Sequence, residues 1–207
     1  MTVRDSIILL NQKLNRNNTN QNTNIDIPRA TNLLNEAQNQ VAVYVIRNER
    51  NSDNLDIVNA LLRTKSINRT KKENITQYFK VPENFIRIES VEGIGRKNGC
   101  EAKLRAIPVK TRNKSIYNTN KNYKSNWFFR DTFYTIAEES IKFEADFDIT
   151  KINVEYYREP RRISVAGWQQ ADGTTSQDVE WEFGDSFIHK VIDAAARNFL
   201  QLNNTNT

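Results

Sequence analysis

The stretch from Lys151 to Leu202 constrains the fold most, because its residue pattern changes from strand period to helix period. Apolar residues alternate with polar ones over residues 152–157 and again over 178–183, and each alternation is typical of a half-buried strand. After Gly184 an apolar stripe at helical spacing begins, formed by Ile188, Val191, Ile192, Ala195, Phe199 and Leu202. Each large side chain of such a stripe contributes about 1.5 to 3 kcal/mol when buried, so this predicted helix needs a packing partner.

Three predicted N-terminal helices can supply that partner. The first follows a capping pattern at Thr2 and Asp5, and its apolar face consists of Val3, Ile7, Leu10 and Leu14. The second starts at Asp26 and Pro28, and its apolar face consists of Leu33, Leu34, Ala37, Val41, Tyr44 and Val45. A third, short helix is predicted over residues 55–62.

Beyond the helices the pattern becomes basic and then extended. Residues 63–73 are poor in apolar side chains, so we expect them to be a connection. Asn98-Gly99 predicts a two-residue hairpin turn, since both residue types accept positive φ. Its arms carry the inward residues Ile86, Ile88, Ala102, Leu104 and Ala106. A second hairpin is predicted to turn at 138–140, with inward residues Phe133, Ile136, Ile141 and Phe143.

These elements predict an α+β fold with one inserted domain. Residues 1–77 are expected to form an N-terminal helical bundle, and residues 78–183 an inserted antiparallel β domain. Residues 184–207 are the C-terminal helix that returns to complete the bundle. The stretch that begins at Lys151 is then the junction between two subdomains.

Residues for catalysis and metal binding are scarce. His189 is the one histidine and Cys100 the one cysteine, so zinc would lack ligands and a Cys-His nucleophile is not favoured. Carboxylates that could form an acid-base pair, as in a hydrolase of cell-wall sugars, are Glu138, Glu139, Glu180 and Glu182. Adjacent residues on a strand point to opposite faces, and alternate residues on an exposed face usually meet only water, which disfavours both pairs. The sequence therefore predicts no enzyme, no cofactor and no metal.

Two features bear on the compartment. A lone cysteine fits a reducing environment. No stretch approaches the roughly 20 apolar residues that a membrane span requires, so no membrane partner is expected. We therefore expect a soluble protein made in a cytoplasm.

The charges are segregated along the chain, which carries a net charge of +5. Residues 96–124 contain nine Lys or Arg and one acid, whereas residues 131–185 contain thirteen acids and five basic residues. Such segregation suits a nucleic-acid partner for the basic part, or contact between the two parts, or simply a solvated surface.

The candidate functional residues lie in and just after this basic part. They are Lys103, Arg105, Lys110, Arg112, Lys114, Lys121, Lys124 and Arg130. Near them, Tyr117, Tyr123 and Trp127 could stack on bases while the cations bind phosphates. The alternative is a surface loop whose aromatic residues pack on a neighbouring strand or subunit.

Three segments carry a resemblance to a known family. They are ATNLLNEAQNQV at residues 30–41, INVEYYREPRRI at 152–163 and DSFIHKVIDAAARNFL at 185–200. In this order, around a β-rich middle, the chain resembles the head-to-tail connector proteins of tailed bacteriophages. It is most similar to the ring or tail-tube adaptor proteins of short-tailed phages, particularly the crAss-like group.

The resemblance implies a virion structural protein assembled in the host cytoplasm. Its subunits would form a closed homo-oligomeric ring, commonly twelvefold, stacked below the portal protein and beside other tail or connector proteins. Double-stranded DNA would pass through the lumen without sequence specificity. The alternative function is a non-specific nucleic-acid-binding module that uses residues 96–130.

Overall fold

The structure, a computed structural model, is a mixed α+β fold. It describes residues 1–17, 24–48, 55–110, 124–168 and 173–204. The helices within these residues are α1 (Val3–Asn17), α2 (Ile27–Arg47), α3 (Leu55–Leu61) and α4 (Asp185–Asn204). The strands are β1 (Leu62–Asn68), β2 (Lys71–Glu73), β3 (Thr76–Lys80), β4 (Phe85–Lys97), β5 (Cys100–Pro108), β6 (Asp131–Ala137), β7 (Ser140–Glu144) and β8 (Asp148–Arg158).

The chain divides into two compact units. A helical unit comprises Met1–Leu61 and Glu159–Thr207, and a β unit comprises Leu62–Arg158. The sequence predicts the boundaries between helical and β parts at 77/78 and 183/184. Both predicted boundaries lie further along the chain than those of the structure, which fall at 61/62 and 158/159. The two units are described separately below.

In the helical unit, α4 packs against both α1 and α2. Five residues of the α4 stripe are at most 5% exposed, namely Ile188, Val191, Ile192, Ala195 and Phe199. Leu202 belongs to α4, but its side chain lies outside the described part. The predicted face of α1 is likewise buried, and Thr2 and Asp5 form the predicted reciprocal cap through backbone-to-side-chain hydrogen bonds of 3.0 and 3.1 Å.

The buried face of α2 differs from the prediction. Tyr44 is 65% exposed, whereas the polar side chains of Asn35 and Gln38 are buried. Asn35 accepts a hydrogen bond from the Ile163 amide at 2.9 Å and donates one to its carbonyl at 3.0 Å. Polar side chains are buried on this face because they form hydrogen bonds with backbone groups of an irregular segment. Apolar side chains could not form these bonds.

The strand predicted over residues 178–183 is wrong. Val179 forms only an isolated bridge with Ser164. The Glu180 carboxylate instead accepts a hydrogen bond from the Val3 amide at 2.9 Å, and the Trp181 indole donates one to Ser6 at 3.0 Å. These side chains satisfy polar groups at the start of α1, so the segment belongs to the helical unit.

The β unit is an eight-stranded curled sheet in the order β1-β8-β4-β5-β6-β7-β3-β2. The prediction of a connection over residues 63–73 is wrong, because β1 and β2 lie there. β1 has mostly exposed side chains yet pairs with β8 over seven residues. An edge strand can be held by backbone hydrogen bonds alone, so the absence of an apolar pattern did not exclude it.

Among the strands of the described residues, the pairs are antiparallel with one exception. β5 and β6 are parallel, with Arg105 opposite Asp131. The prediction of an antiparallel domain is therefore wrong at this pair. The parallel orientation is possible because residues 109–130 separate the two strands, whereas a short turn allows only an antiparallel neighbour.

Both predicted hairpin turns are present. Asn98 and Gly99 have φ values of 50° and 80°, and Lys97 pairs with Cys100 across them. In the second hairpin the turn is Glu138-Glu139. Its inward residues on β6 are Thr132 and Tyr134, not the predicted Phe133 and Ile136. Phe133 is half-buried, and Ile136 is 42% exposed. Side chains alternate between the two faces of a strand, so residues three positions apart point to opposite faces. A regular strand therefore cannot bury both Phe133 and Ile136 on one face.

The core of the β unit is apolar. It includes Phe79, Leu104, Ile141, Phe143, Ile149, Ile152 and Val154, all fully buried. Phe79 and Phe143 make an edge-to-face contact with ring centres 5.5 Å apart. Ile152 and Val154 are the predicted inward residues of β8, and Tyr156 packs partly buried on the same cluster.

A short link closes the curl of the sheet by holding its two edge strands close to each other. β1 and β2 lie at opposite ends of the strand order, yet only Arg69 and Thr70 separate them in the chain. Such a link spans at most about 11 Å. The two ends of the sheet must therefore lie close together, which accounts for its curl.

Gln77 joins strands across this closure. Its side chain is fully buried on β3 and donates to the Phe147 carbonyl at 2.8 Å. It also accepts hydrogen bonds from the Ile149 amide at 2.7 Å and from the Arg69 guanidinium at 2.9 Å. Arg69 reaches Asp148 as well, at 3.0 Å, and hydrogen bonds from Lys72 and Arg69 hold the pKa of Asp148 below its usual value.

We expect Ile192→Asp to abolish folding of the helical unit. A buried unpaired carboxylate costs several kcal/mol, against a total stability of about 5 to 15 kcal/mol for a typical domain. Circular dichroism and limited proteolysis measure the loss. Ile8→Asp is the matched control, since Ile8 on α1 is 56% exposed and should tolerate the same charge. A soluble, protease-resistant Ile192→Asp protein would contradict the described packing of α4.

We expect Gln77→Leu to destabilise the β unit by about 1 to 3 kcal/mol for each buried backbone group left unsatisfied. Those groups are the Phe147 carbonyl and the Ile149 amide. Urea denaturation measures the change. Thr150→Val is the control, because Thr150 makes one exposed hydrogen bond to the Ile94 carbonyl. Equal stability of the two variants would show that Gln77 does not hold the closure.

Candidate functional site

The structure brings together three of the eight predicted cations. Lys103 and Arg105 lie on the exposed face of β5, opposite buried Leu104, and Arg130 lies just before β6. The Arg105 amide donates a 2.7 Å hydrogen bond to the Arg130 carbonyl, so the parallel pairing of β5 and β6 sets their proximity. All three cations line an open depression of about 620 Å³, together with Val91, Glu92, Leu104, Phe129 and Asp131.

Two of the other predicted cations are not part of this group. Lys110 and Lys124 are exposed but do not line the depression. Arg112, Lys114 and Lys121 lie outside the described residues, as do the aromatic residues Tyr117 and Tyr123.

A tight loop of four residues, Trp127 to Arg130, forms one side of the depression. It is closed by Asn126 and Asp131, whose backbones exchange hydrogen bonds of 2.8 and 3.2 Å. The Asn126 side chain accepts a further hydrogen bond from the Phe128 amide at 2.8 Å. Arg130 ends the loop with a φ of 58°. Hydrogen bonds of the backbone and of the Asn126 side chain therefore close the loop.

Two phenylalanines stand exposed at the tip of this loop. Phe128 is 84% exposed and Phe129 is 68% exposed. Their rings contact each other edge to face, with centres 5.3 Å apart. Large apolar side chains are seldom so exposed without a partner, and clusters of them mark interaction sites.

Trp127 anchors the loop to the core. Its ring packs against Phe147 at 5.4 Å between centres, and the Arg130 guanidinium lies over it at 4.5 Å. Gly95 on β4 leaves the space for this ring. A Cβ atom there would lie 2.5 Å from a methyl carbon of Leu104 and 3.1 Å from Trp127.

The site carries both signs of charge, because Glu92 on β4 and Asp131 on β6 each lie opposite Arg105 in the strand register. Lys103 is paired with Glu92 at 3.0 Å, an exposed contact that contributes little stability. Among the described residues, no carboxylate forms an ion pair with Arg105 or Arg130. The depression thus offers two guanidinium groups beside an exposed aromatic ring, a combination that binds carboxylates or phosphates.

Sequence reasoning missed Phe128 and Phe129. It assigned the aromatic role to Tyr117, Tyr123 and Trp127, because these alternate with lysines. The available signal was the Phe-Phe pair itself. Two consecutive residues of a strand cannot both face one core, so at least one had to be exposed or lie in a turn.

The single cysteine and the single histidine do not lie at this site. Cys100 is exposed at the β4–β5 turn, and His189 is exposed on α4 of the other unit. In the described ranges, no group of three or more His, Cys, Asp or Glu side chains is arranged to hold a metal ion. None of the described helices combines the length and apolar character that a membrane crossing needs.

Comparison with known proteins adds no support for the family resemblance noted in the sequence. No family model matches the chain, and no curated protein matches it.

We expect Gly95→Ala to disturb the loop through Trp127. The added methyl group must displace Leu104 or Trp127, and overpacking of this kind costs about 1 to 3 kcal/mol. Urea denaturation and tryptophan fluorescence measure the effect. Gly93→Ala is the matched control on the same strand, since its nearest contact would be an ordinary 3.4 Å. The same stability and emission for both variants would contradict the packing described for Trp127.

Proposed function

We propose that the chain is a subunit of a head-to-tail connector ring in a tailed bacteriophage. The ring is stacked below the portal protein, contacts other tail or connector proteins, and lets DNA pass through its lumen. The protein has no catalytic role in this proposal, and it is part of the virion after assembly in the host cytoplasm.

The observation that carries the proposal is the exposed Phe128-Phe129 pair beside Arg105 and Arg130. A phenylalanine buries about 150 to 250 Å² when it is covered. Two of them held at the tip of a closed loop favour a protein whose working state is an assembly. Aromatic and arginine side chains are also enriched at the energetic centres of protein interfaces.

The order of elements supports the same proposal. The finer architecture that we propose is an N-terminal helical bundle completed by the C-terminal helix, with a β domain inserted between them. The helices Val3–Asn17 and Ile27–Arg47 precede the strands, and the helix Asp185–Asn204 follows them. This is the order on which the resemblance to connector proteins rests.

The remaining cations suit a DNA channel. Lys110 and Lys124 are exposed. Cations that meet only phosphates bind without sequence preference and lose affinity as salt rises. Contacts of this kind let DNA slide, which a channel requires.

We expect the chain to assemble into a ring, alone or on a portal protein of a short-tailed phage, and Phe128→Ser/Phe129→Ser to reduce assembly. Native mass spectrometry and electron microscopy measure the copy number with and without the portal. Ile75→Ser is the control, since Ile75 is 55% exposed in the same unit but outside the site. A strict monomer in both conditions would count against the proposal.

A second candidate, a non-specific nucleic-acid-binding module, is favoured by one observation. Arg105 and Arg130 lie beside exposed aromatic rings, which is how single-stranded nucleic acid is often held. The monomeric chain would then bind labelled DNA at low salt and release it at high salt. Absence of binding at low salt would exclude this candidate and leave the connector proposal unaffected.

A further inference from the structure

The strand β6 carries two exposed patches of opposite charge, one at each end. The Trp127–Arg130 loop precedes β6 and lies beside Lys103 and Arg105, so the three cations here exceed the two acids Glu92 and Asp131 and the patch is aromatic with a basic excess. The Glu138-Glu139 turn follows β6, and with Ile136 it forms an acidic, partly apolar patch. We call these the basic patch and the acidic patch.

The acidic patch is open to a partner. The Glu138 side chain is 89% exposed, and its backbone has a φ of 50°, which sets it at the apex of the turn. Glu138 is paired with Lys142 at 3.4 Å, and because such a pair contributes little stability, an arginine of a partner can compete for the carboxylate. Glu139 is also exposed, and Ile136 adds an apolar side chain that is 42% exposed.

One copy cannot bring its own two patches together. They are separated by the seven residues of β6, which amount to about 20 Å along a strand. β6 is also paired on both sides, to β5 and to β7, so it cannot bend back on itself. Any contact between the patches must therefore join two copies of the chain.

We infer that the basic patch of one copy docks on the acidic patch of the next copy. Arg105 and Arg130 bind the two glutamates, and Phe129 covers Ile136. The depression of about 620 Å³ provides room for the turn to enter. The inference rests on the proposed ring function and names the contact by which the ring forms.

The contact is head-to-tail, because two different patches of each subunit are used. Contacts of this kind produce a closed ring if the rotation between neighbours completes a circle, and a filament if it does not. A basic patch meeting a second basic patch is disfavoured by like-charge repulsion. The same charges that drive assembly thus also set its direction.

Charge reversal on each patch tests the inference. We expect Arg105→Glu/Arg130→Glu and Glu138→Arg/Glu139→Arg, each alone, to need at least about tenfold higher concentration to assemble than the unmodified chain. A mixture of the two variants in equal amounts should assemble again, because each then supplies a patch that the other lacks. The chain with all four substitutions should also assemble by itself.

A control separates charge reversal from damage to the fold. Arg63→Glu/Lys65→Glu makes the same charge change at exposed positions of β1. It should leave assembly unchanged, and circular dichroism should give the same spectrum for all variants. Mass photometry across a concentration series, with and without the portal, measures assembly.

The outcomes distinguish this inference from the proposed function. If the unmodified chain assembles and the patch variants assemble equally well, the inference is wrong and the ring proposal stands. If the patch variants fail and their mixture does not recover, the two patches do not meet, and the inference is again overturned. If Arg105→Glu/Arg130→Glu loses only DNA binding, the basic patch serves nucleic acid instead. A chain that never assembles overturns both proposals.

Discussion

The curled sheet depends on the two residues, Arg69 and Thr70, that join strands from opposite ends of the strand order. A link this short keeps β1 and β2 close, so the sheet cannot flatten without losing strand pairs. Gln77 completes the closure, because its one buried side-chain amide bonds three groups. It donates to the Phe147 carbonyl and accepts from the Ile149 amide and the Arg69 guanidinium. The strands between these ends, including β5 and β6, belong to the same curled sheet.

The candidate site follows from the single parallel pair in this sheet. Parallel neighbours need a crossover between them, and the chain must then turn sharply to enter β6. The loop closed by Asn126 and Asp131 makes that turn. Its four residues are too few for all their side chains to face inward, so Trp127 packs on the core while Phe128 and Phe129 are left at the tip. The topology of the sheet therefore explains why Phe128 and Phe129 lie at an exposed tip.

Local features of the fold could be predicted from the sequence, but features set by distant partners could not. The Asn98-Gly99 turn and the helix caps follow from backbone preferences of the residues themselves. Residues 63–73 look like a connection, because an edge strand held by its backbone has no side-chain pattern. At the site, the cations Lys103 and Arg130 were predictable from charge alone. Their proximity was not, since it results from a parallel pairing that no local pattern encodes.

In both units, elements made late in the chain pair with elements made early. β8 pairs with β1 and β4, and α4 packs on α1 and α2. These four early elements therefore each lack one partner until β8 and α4 have been synthesised. During translation β1 and β4 therefore emerge with unpaired edges, and α1 and α2 with uncovered apolar faces. Contacts so distant in sequence form slowly, and exposed edges favour aggregation in the meantime. We therefore expect a partly synthesised chain to be prone to aggregation until β8 and α4 have been made.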